Sequence, residues 1–237
     1  GYSELGMDLV AIKLAQHSLA GKESEGFFFE IGAFNGWKYS NSLQMEIAGW
    51  HGICVEPFPN ARTFQWRKAQ NFAGRHVLVQ AAALGEERDV KFVATAGGEH
   101  RMSGGVVDFL QEPLESSMTP GGQFPGELFS LTARTPASIL SEHLLHPHQA
   151  CTIHFLSVDT EGSEADILAT FPFRLYTVCS ATVEHNANTP KQVAVRGIMR
   201  EAGFTMSSFV ERNRDDFFFH PACQPPYRPP PPCRLKE

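Results

Sequence analysis

Among its 237 residues the chain has no run of about 18 apolar residues, the length that a membrane-spanning helix requires. Charged residues make up only 19% of the composition, and acids outnumber bases to give a formal net charge of −6. Such a composition lacks the basic stripe by which proteins bind nucleic acid. The sequence therefore argues against a membrane span and against general nucleic-acid binding.

The five cysteines form no CxxC pair. Cys54 and Cys179 lie inside apolar runs and Cys151 lies at the edge of another, so we expect all three to be buried thiols. Only Cys223 and Cys233, near the end of the chain, are placed to pair with each other. This usage predicts a reducing compartment, and together with the lack of a basic, apolar leader it predicts the cytoplasm.

Five short apolar runs alternate with segments of helical spacing along the chain. We expect these runs to be strands that are buried on both faces. They span residues 26–31, 52–56, 76–81, 153–159 and 176–184. Helices are predicted around Leu9 and over 40–48, 60–70, 163–171 and 190–202, and a closing strand pair over 204–210 and 216–220. Alternation of this density predicts an α/β fold with a doubly wound sheet.

Two regions do not fit the alternation. Residues 95–135 are rich in Gly, Pro, Ser and Thr and predict a long functional loop. Residues 225–232 contain six prolines in eight positions and predict an extended polyproline II tail outside the core. We therefore expect a single domain over 1–220, with 95–135 as a lid-like insertion, followed by a Pro-rich tail over 221–237.

The sharpest motif is EIGAFNG, which runs from Glu30 to Gly36 between the first strand and the next helix. Gly32 and Gly36 permit positive φ and leave room for backbone to approach a ligand. Glu30 is expected to point into the crevice at the carboxyl ends of the strands, where α/β sheets bind ligands. Glu56, at the end of the second strand, is placed to accept hydrogen bonds from ribose hydroxyls.

The adenosine ligand that suits this loop is S-adenosylmethionine. The pattern G-x-G-x-x-G of dinucleotide folds is absent, and an acid two residues before Gly32 would repel a pyrophosphate. The same acid would attract a sulfonium or an ammonium group. An NAD-dependent oxidoreductase stays as an alternative, and the non-functional interpretation is a plain strand–helix turn with solvent-facing acids.

A second acidic motif, VDTEGSE, ends the fourth apolar run. Buried acids at the mouth of a crevice are costly without a role or a counter-charge. We expect Asp159 to face the methyl donor or the acceptor hydroxyl, and Glu161 to orient the substrate or to bind a cation. Glu164 is expected to be structural, as a cap or a solvent-facing side chain.

The fifth run ends in VEHN, at residues 183–186. Methylation of a hydroxyl removes its proton, and His185 is a candidate general base, with a structural His as the alternative. Together with Asp159 and Glu161, Glu184 and His185 also suit Mg²⁺ or Mn²⁺, but we do not favour a metal site. The three histidines at 143, 146 and 148 are interpreted as a solvated loop.

With these motifs in this order, the chain resembles the FkbM family of S-adenosylmethionine-dependent methyltransferases. The matching stretches lie at 30–60, 80–92, 155–168 and 183–186. The resemblance implies a class I methyltransferase (Rossmann-like) fold with a doubly wound, mostly parallel seven-stranded sheet and a reversed last hairpin. It also implies O-methylation, because family members act on polyketide and sugar hydroxyls.

Carried over by position, the resemblance implies a donor site made of Glu30, Gly32, Asn35, Gly36, Asn41, Glu56, Ala82, Ala83 and Asp159. Ala82 and Ala83 would lie near the adenine, and Asn41 near the methionine end. The catalytic residues implied are Asp159 and Glu161, to which the general-base argument adds His185. One departure is Phe34, where the common methyltransferase loop has a Gly.

The function expected from the sequence is transfer of a methyl group from S-adenosylmethionine to a hydroxyl of a small molecule or glycan, with S-adenosylhomocysteine as the product. The 95–135 stretch is expected to choose the acceptor and to exclude water as a lid. The alternative is a non-catalytic scaffold module. In that case the Pro-rich tail would dock a partner of the SH3 or WW type.

Overall fold

The computed structural model describes residues 3, 6–19, 21–70, 72, 74–95, 104–109, 126–207 and 214–236. Within these residues the helices are α1 (Met7–Leu19), α2 (Leu43–Ile47), α3 (Ala61–Ala69), α4 (Pro136–His143), α5 (Glu164–Ala169) and α6 (Thr189–Glu201). The strands are β1 (Phe27–Ile31), β2 (His51–Val55), β3 (Arg75–Val79), β4 (Ala82–Ala83), β5 (Arg88–Thr95), β6 (Gly104–Val106), β7 (Gly126–Arg134), β8 (Cys151–Val158), β9 (Tyr176–Glu184), β10 (Thr205–Met206) and β11 (Asp215–Phe219).

A mixed sheet forms the centre of the molecule, and its described part has seven strands in the order β10-β11-β9-β8-β1-β2-β3. Strands β3, β2, β1, β8 and β9 run parallel. β11 is antiparallel to both β9 and β10. The five parallel strands are the five apolar runs, so the predicted strands are confirmed. β1 and β8 are buried along their whole length, as expected for strands covered on both faces.

Helices pack on both faces of this sheet. Successive side chains of a strand point to opposite faces, and β1 shows the consequence. Phe28 packs in a cluster that contains side chains of α1, α2 and α3. Phe27 and Phe29 belong to the opposite cluster, which contains side chains of α4, α5 and α6. The aromatic run that opens the motif region therefore joins both halves of the core.

The predicted helices are confirmed, with small shifts of their ends. The side chain of Asn60 caps α3 by accepting a hydrogen bond from the amide of Thr63. At the start of α6, the oxygen of Asn188 accepts from the amide of Lys191 at 3.0 Å. Asn188 is therefore the N-cap that defines where α6 begins.

A second, four-stranded sheet has the order β4-β7-β5-β6, and two of its strands, β6 and β7, lie in the region expected to be a loop. β5 pairs antiparallel with β7 along residues 88–95 and 126–134. The expectation of a structureless stretch over 95–135 is thus wrong for residues 104–106 and 126–134, because these strands cover an apolar cluster built around Phe92. The rest of the expected lid, 96–103 and 110–125, lies outside the described residues.

The expectation that the tail lies outside the core is wrong. Cys233 and Leu235 are buried, at 4% exposure each. Cys233 donates its amide to the carbonyl of Thr152, whose own amide donates to Pro231. The last residues therefore lie in extended conformation beside the start of β8. The division into a domain over 1–220 and a tail over 221–237 stays a prediction.

The expected cysteine pairing is also wrong. Cys151 is bonded to Cys233 and Cys179 to Cys223, while Cys54 is a free, buried thiol. Cys223 and Cys233 do not pair with each other, because the tail carries them to different strands. Disulfides persist in oxidising compartments, so the cysteines no longer support the cytoplasmic expectation.

No helix in the described ranges is long and apolar enough to cross a bilayer.

Candidate functional site

A pocket opens at the carboxyl ends of β1 and β2, between the two sheets. The space in and in front of this pocket amounts to about 380 Å³, including solvent at its open mouth. Its lining comprises Ile31, Gly32, Val55, Glu56, Pro57, Ala81, Ala82, Ala83, Phe92, Gly104, Val106, Asp159, Thr160 and Ser163. Five residues expected in the donor site, Gly32, Glu56, Ala82, Ala83 and Asp159, are brought together here.

The Gly loop approaches β8 so closely that a side chain at Gly32 is impossible. A Cβ at this position, where φ is +86°, would overlap the carbonyl oxygen of Asp159. The amide of Asp159 donates to the carbonyl of Ile31 at 2.9 Å. Gly36, with φ of +74°, is packed against the ring of Phe64, 2.6 Å from where its Cβ would lie. The two glycines thus let the loop pass between β8 and α3.

Glu56 joins the end of β2 to the Gly loop. Its Oε2 accepts a hydrogen bond from the amide of Phe34 at 2.8 Å, and its Oε1 accepts from the amide of Phe58 at 3.0 Å. Phe34 turns its amide toward the acid by adopting φ of +48°. Burial raises the pKa of Glu56 to about 7, although both amide hydrogen bonds oppose this. The carboxyl group therefore titrates near neutral pH at the pocket wall.

Glu30 points into the protein and does not line the open pocket, which corrects the expectation that it faces the crevice. Its Oε1 accepts from the amide of Asn41 at 2.7 Å, and its Oε2 accepts from the hydroxyl of Ser42 at 2.5 Å. Burial raises its pKa, against the nearby charge of Arg67. Glu30 thereby fixes the segment that follows the Gly loop. A direct contact with a donor stays a prediction.

Asn41 and Asn35 use their side chains within the protein. The Nδ2 of Asn41 donates to the hydroxyl of Ser157 on β8 at 3.0 Å. The Oδ1 of Asn35 accepts from the amides of Trp37 and Lys38, both at 2.9 Å, and closes a tight turn. Neither residue lines the pocket. Their proposed contacts with a donor also stay predictions.

A buried ionic network supports the Gly loop, and sequence reasoning missed it. The guanidinium of Arg67 donates to the carbonyl of Gly36 and pairs with Glu46 at 2.7 Å. Oε1 of Glu46 is also hydrogen-bonded to Nδ1 of His76, at 2.8 Å. Burial raises the pKa of Glu46, but the bond to His76 and the charge of Arg67 outweigh it and hold that pKa below its usual value. A basic residue at a helical position with buried neighbours, such as Arg67 after Phe64, was the available signal.

The acidic motif forms a cluster at the ends of β8 and β9. One carboxylate oxygen each of Asp159, Glu161 and Glu184 lies within 4.8 Å of the others. Burial, followed by the charges of Glu161 and Asp215, raises the pKa of Asp159 to about 8. Burial, followed by the charges of Asp159 and Glu161, raises the pKa of Glu184 to about 11. The three acids thus face one another in a confined space, while the expected contacts of Asp159 and Glu161 with donor or acceptor stay predictions.

Glu164 is structural, as expected, and holds the loop that carries Glu161. Its Oε1 accepts from the amides of Thr160 and Gly162 at 2.9 and 3.0 Å. Its Oε2 forms an ion pair of 3.0 Å with Lys191 of α6. The side chain is fully buried, so it is an internal fastener of this loop and not a solvent-facing group.

His185 does not line the pocket, which weighs against its expected role as general base. Its Nε2 lies 3.5 Å from Oδ1 of Asp216 and 3.3 Å from the side-chain Nε2 of Gln192. Its Nδ1 accepts from the amide of Ala187. Burial lowers the pKa of His185, against the pull of Asp216. Because neighbouring strand residues point to opposite faces, the position of Glu184 in the acidic cluster was the signal that His185 faces elsewhere.

The interpretation of three histidines as a solvated loop is confirmed for two of them. His146 and His148 are exposed loop residues, whereas His143 is the half-buried last residue of α4. The metal-competent group found among the described residues is the acidic cluster and does not include them.

With this geometry in place, comparison with known proteins gives one finding. A family model described as the methyltransferase FkbM domain matches residues 30–206. This range starts at Glu30 and ends in β10, so it includes the Gly loop, the pocket and the acidic cluster. A comparison with curated proteins gives no match.

Proposed function

The chain belongs to the FkbM methyltransferase family, and from this premise we propose that it transfers a methyl group from S-adenosylmethionine to a hydroxyl of a small molecule or sugar. The observation that carries the proposal is the pocket in which Gly32, Glu56 and the pair Ala82–Ala83 meet. A cleft with a close backbone, a ribose-competent acid and a flat apolar wall suits an adenosine ligand.

We further propose that the sheet is that of a class I methyltransferase. In support, five parallel strands carry helices on both faces, and the last two strands form an antiparallel addition at one edge. In α/β sheets ligands bind outside the carboxyl ends of the strands, where the strand order reverses. Here β1 lies between β2 and β8, and the pocket opens at the end of β1.

In the proposed donor complex, Glu56 accepts hydrogen bonds from the two ribose hydroxyls. The amides of Phe34 and Phe58 already hold both of its oxygens in place, so little ordering is needed when the ligand binds. Ala82 and Ala83 present small side chains at the wall, where an adenine ring can lie flat. The Gly loop brings backbone toward the methionine end of the donor.

The acceptor hydroxyl is proposed to approach from the side of the acidic cluster. Its oxygen forms the new bond to the methyl carbon while the carbon–sulfur bond breaks, and the sulfur keeps the electron pair as S-adenosylhomocysteine. The hydroxyl proton passes to a carboxylate. Asp159 is the candidate, because it lines the pocket beside the proposed donor. His185 faces Asp216 and is not assigned this role.

Calorimetry with S-adenosylmethionine, S-adenosylhomocysteine and NAD tests the proposal on the full chain. We expect both sulfur ligands to bind at a single site and NAD not to bind. Glu56→Gln should weaken both by about tenfold or more, as for the loss of hydrogen bonds to a charged group. Glu201→Gln, an exposed acid on α6, is the charge-matched control and should bind normally. Binding of none of the three ligands would instead favour a scaffold module.

A further inference from the structure

The acidic cluster of Asp159, Glu161 and Glu184 gathers three carboxyl groups at the ends of β8 and β9. Three carboxylates lie together, with their closest oxygens within 4.8 Å of one another. The nearby Lys191 is engaged by a different acid, Glu164, at 3.0 Å. Burial raises the pKa of Glu161 and the charges of Lys191 and Arg214 act against this rise, but the three carboxyl groups remain crowded together. Such an arrangement is costly unless a cation or another ligand occupies its centre.

The second observation concerns one oxygen of Glu184. Glu184 is buried, with only 8% of its surface exposed, and its Oε2 has no hydrogen-bond partner among the described residues. Buried polar atoms in proteins are nearly always partnered, by protein, water or an ion. The carboxylate of Glu184 belongs to the cluster, so this unpartnered oxygen lies beside the space that the three acids share.

We propose that a divalent cation, Mg²⁺ or Mn²⁺, binds between Asp159, Glu161 and Glu184. Carboxylate oxygens are the ligands that these hard ions prefer. Ligand oxygens around an ion with bonds of about 2.1 Å are separated by roughly 3 to 4 Å, so the observed grouping needs only a small contraction. No sequence motif for a metal site is required for this proposal; it rests on the geometry.

The ligands come from elements whose backbone is held in unusual conformations. Glu161 has φ of +59° and Asn186 has φ of +50°, and the side-chain Nδ2 of Asn186 donates to Oε2 of Glu161 at 3.2 Å. Non-glycine residues at positive φ persist where the surrounding structure imposes them, and they are frequent at ligand sites. Asn186 therefore acts as a positioning residue for one ligand.

A cation here deepens the proposed function and rests on it. Asp159 lies both in the cluster and on the pocket wall, so the ion would lie beside the proposed acceptor position. It would leave open coordination positions that suit the oxygen of a hydroxyl or diol acceptor. The acceptor class favoured by this arrangement is one that offers oxygen ligands to a hard cation.

The test uses Mn²⁺ as the probe and the 237-residue chain from which a chelator has removed bound metal. Electron paramagnetic resonance should report one bound Mn²⁺ per chain, displaced by Mg²⁺. Glu184→Gln and Glu161→Gln should each weaken binding by about 10–100-fold, whereas Glu201→Gln should leave it unchanged. Millimolar Mn²⁺ should raise the melting temperature of the wild type, which keeps the test valid if one variant does not fold. Absence of binding, or equal binding by all variants, would overturn the proposal.

Donor calorimetry separates this inference from the function on which it rests. If S-adenosylmethionine binds but Mn²⁺ does not, the cation site is wrong and the donor site stands. If Mn²⁺ binds at the cluster but no adenosine ligand binds, the site exists and the proposed function fails. An acceptor amine in place of the cation would appear as donor binding without any response to Mn²⁺, which also overturns the cation site.

Discussion

At the scale of single residues, Glu56 is an acid whose charge depends on pH in the range where enzymes work. Its pKa is raised to about 7 by burial, so the group gains a proton below neutral pH in the free protein. Ribose hydroxyls need the ionised form as an acceptor. We therefore expect the affinity for S-adenosylhomocysteine to rise about tenfold between about pH 6 and about pH 8.

Calorimetry across this pH range measures the effect, and Glu56→Gln supplies the control, because an amide does not titrate and its profile should be flat. A wild-type profile as flat as that of the variant would contradict the assigned role. The same shift also has a sign for stability. Because the pKa of Glu56 is raised in the folded state, its contribution to the free energy of unfolding decreases as pH rises from about 4.5 through about 7.

Gly32 is the second residue with a sharp consequence. Gly32→Ala places a Cβ against the carbonyl of Asp159 at a backbone angle that L residues rarely adopt. We expect the free energy of unfolding to fall by about 3 kcal/mol or more, measured by urea denaturation. Gly197→Ala is the matched control, since nothing lies within 4 Å of its Cβ inside α6. That variant should gain about 0.5–1 kcal/mol, and equal losses in both would count against the close approach.

At the scale of elements, α3 is tied to the Gly loop by one buried cation. Arg67→Met would leave Glu46 without its charge partner and Gly36 without its donor. Removing one member of a buried ion pair costs about 3–5 kcal/mol, so urea denaturation should show a loss of that size. Lys68→Met, at the next and exposed position of α3, should change stability by no more than about 0.5 kcal/mol. A comparable loss in both variants would show that the network is not the cause.

The tail is the other element with a direct test. Two disulfides fasten it to β8 and β9, and Cys54 is left as the free thiol. Thiol titration of the denatured, unreduced chain should therefore find one thiol per chain, and after reduction all five. Reductant should also lower the free energy of unfolding, by about 2–5 kcal/mol for a bond such as Cys151–Cys233. Five thiols without reduction would contradict the pairing.

At the scale of the whole molecule, sequence patterns predicted the strands of the central sheet, but they did not predict the contacts between segments far apart in the chain. The apolar runs of β1, β2, β8 and β9 predicted buried strands because burial on both faces leaves a continuous apolar signal. β7 was missed, since it lies in a stretch dominated by Gly and Pro. The partners of Cys151 and Arg67 were missed as well, because pairing of residues far apart in the chain depends on packing that no local pattern encodes.

The candidate site was reached to a similar extent. Glu56, expected because an acid follows a strand, and Ala82 and Ala83, expected from the resemblance, all line the pocket, and their contacts with a donor stay predictions. Glu30 was assigned to the crevice, whereas its carboxylate binds Asn41 and Ser42 inside the protein. The direction of a side chain at a strand end depends on its neighbours in space, and the sequence does not reveal them.

The most direct test is a crystal structure of the full chain grown with S-adenosylhomocysteine. The account predicts density for the ribose within hydrogen-bonding distance of Glu56 and for the adenine beside Ala82 and Ala83. The sulfur should point toward Asp159. An empty pocket at saturating ligand, or density for the ligand elsewhere on the molecule, would contradict the central claim that this cleft is the donor site.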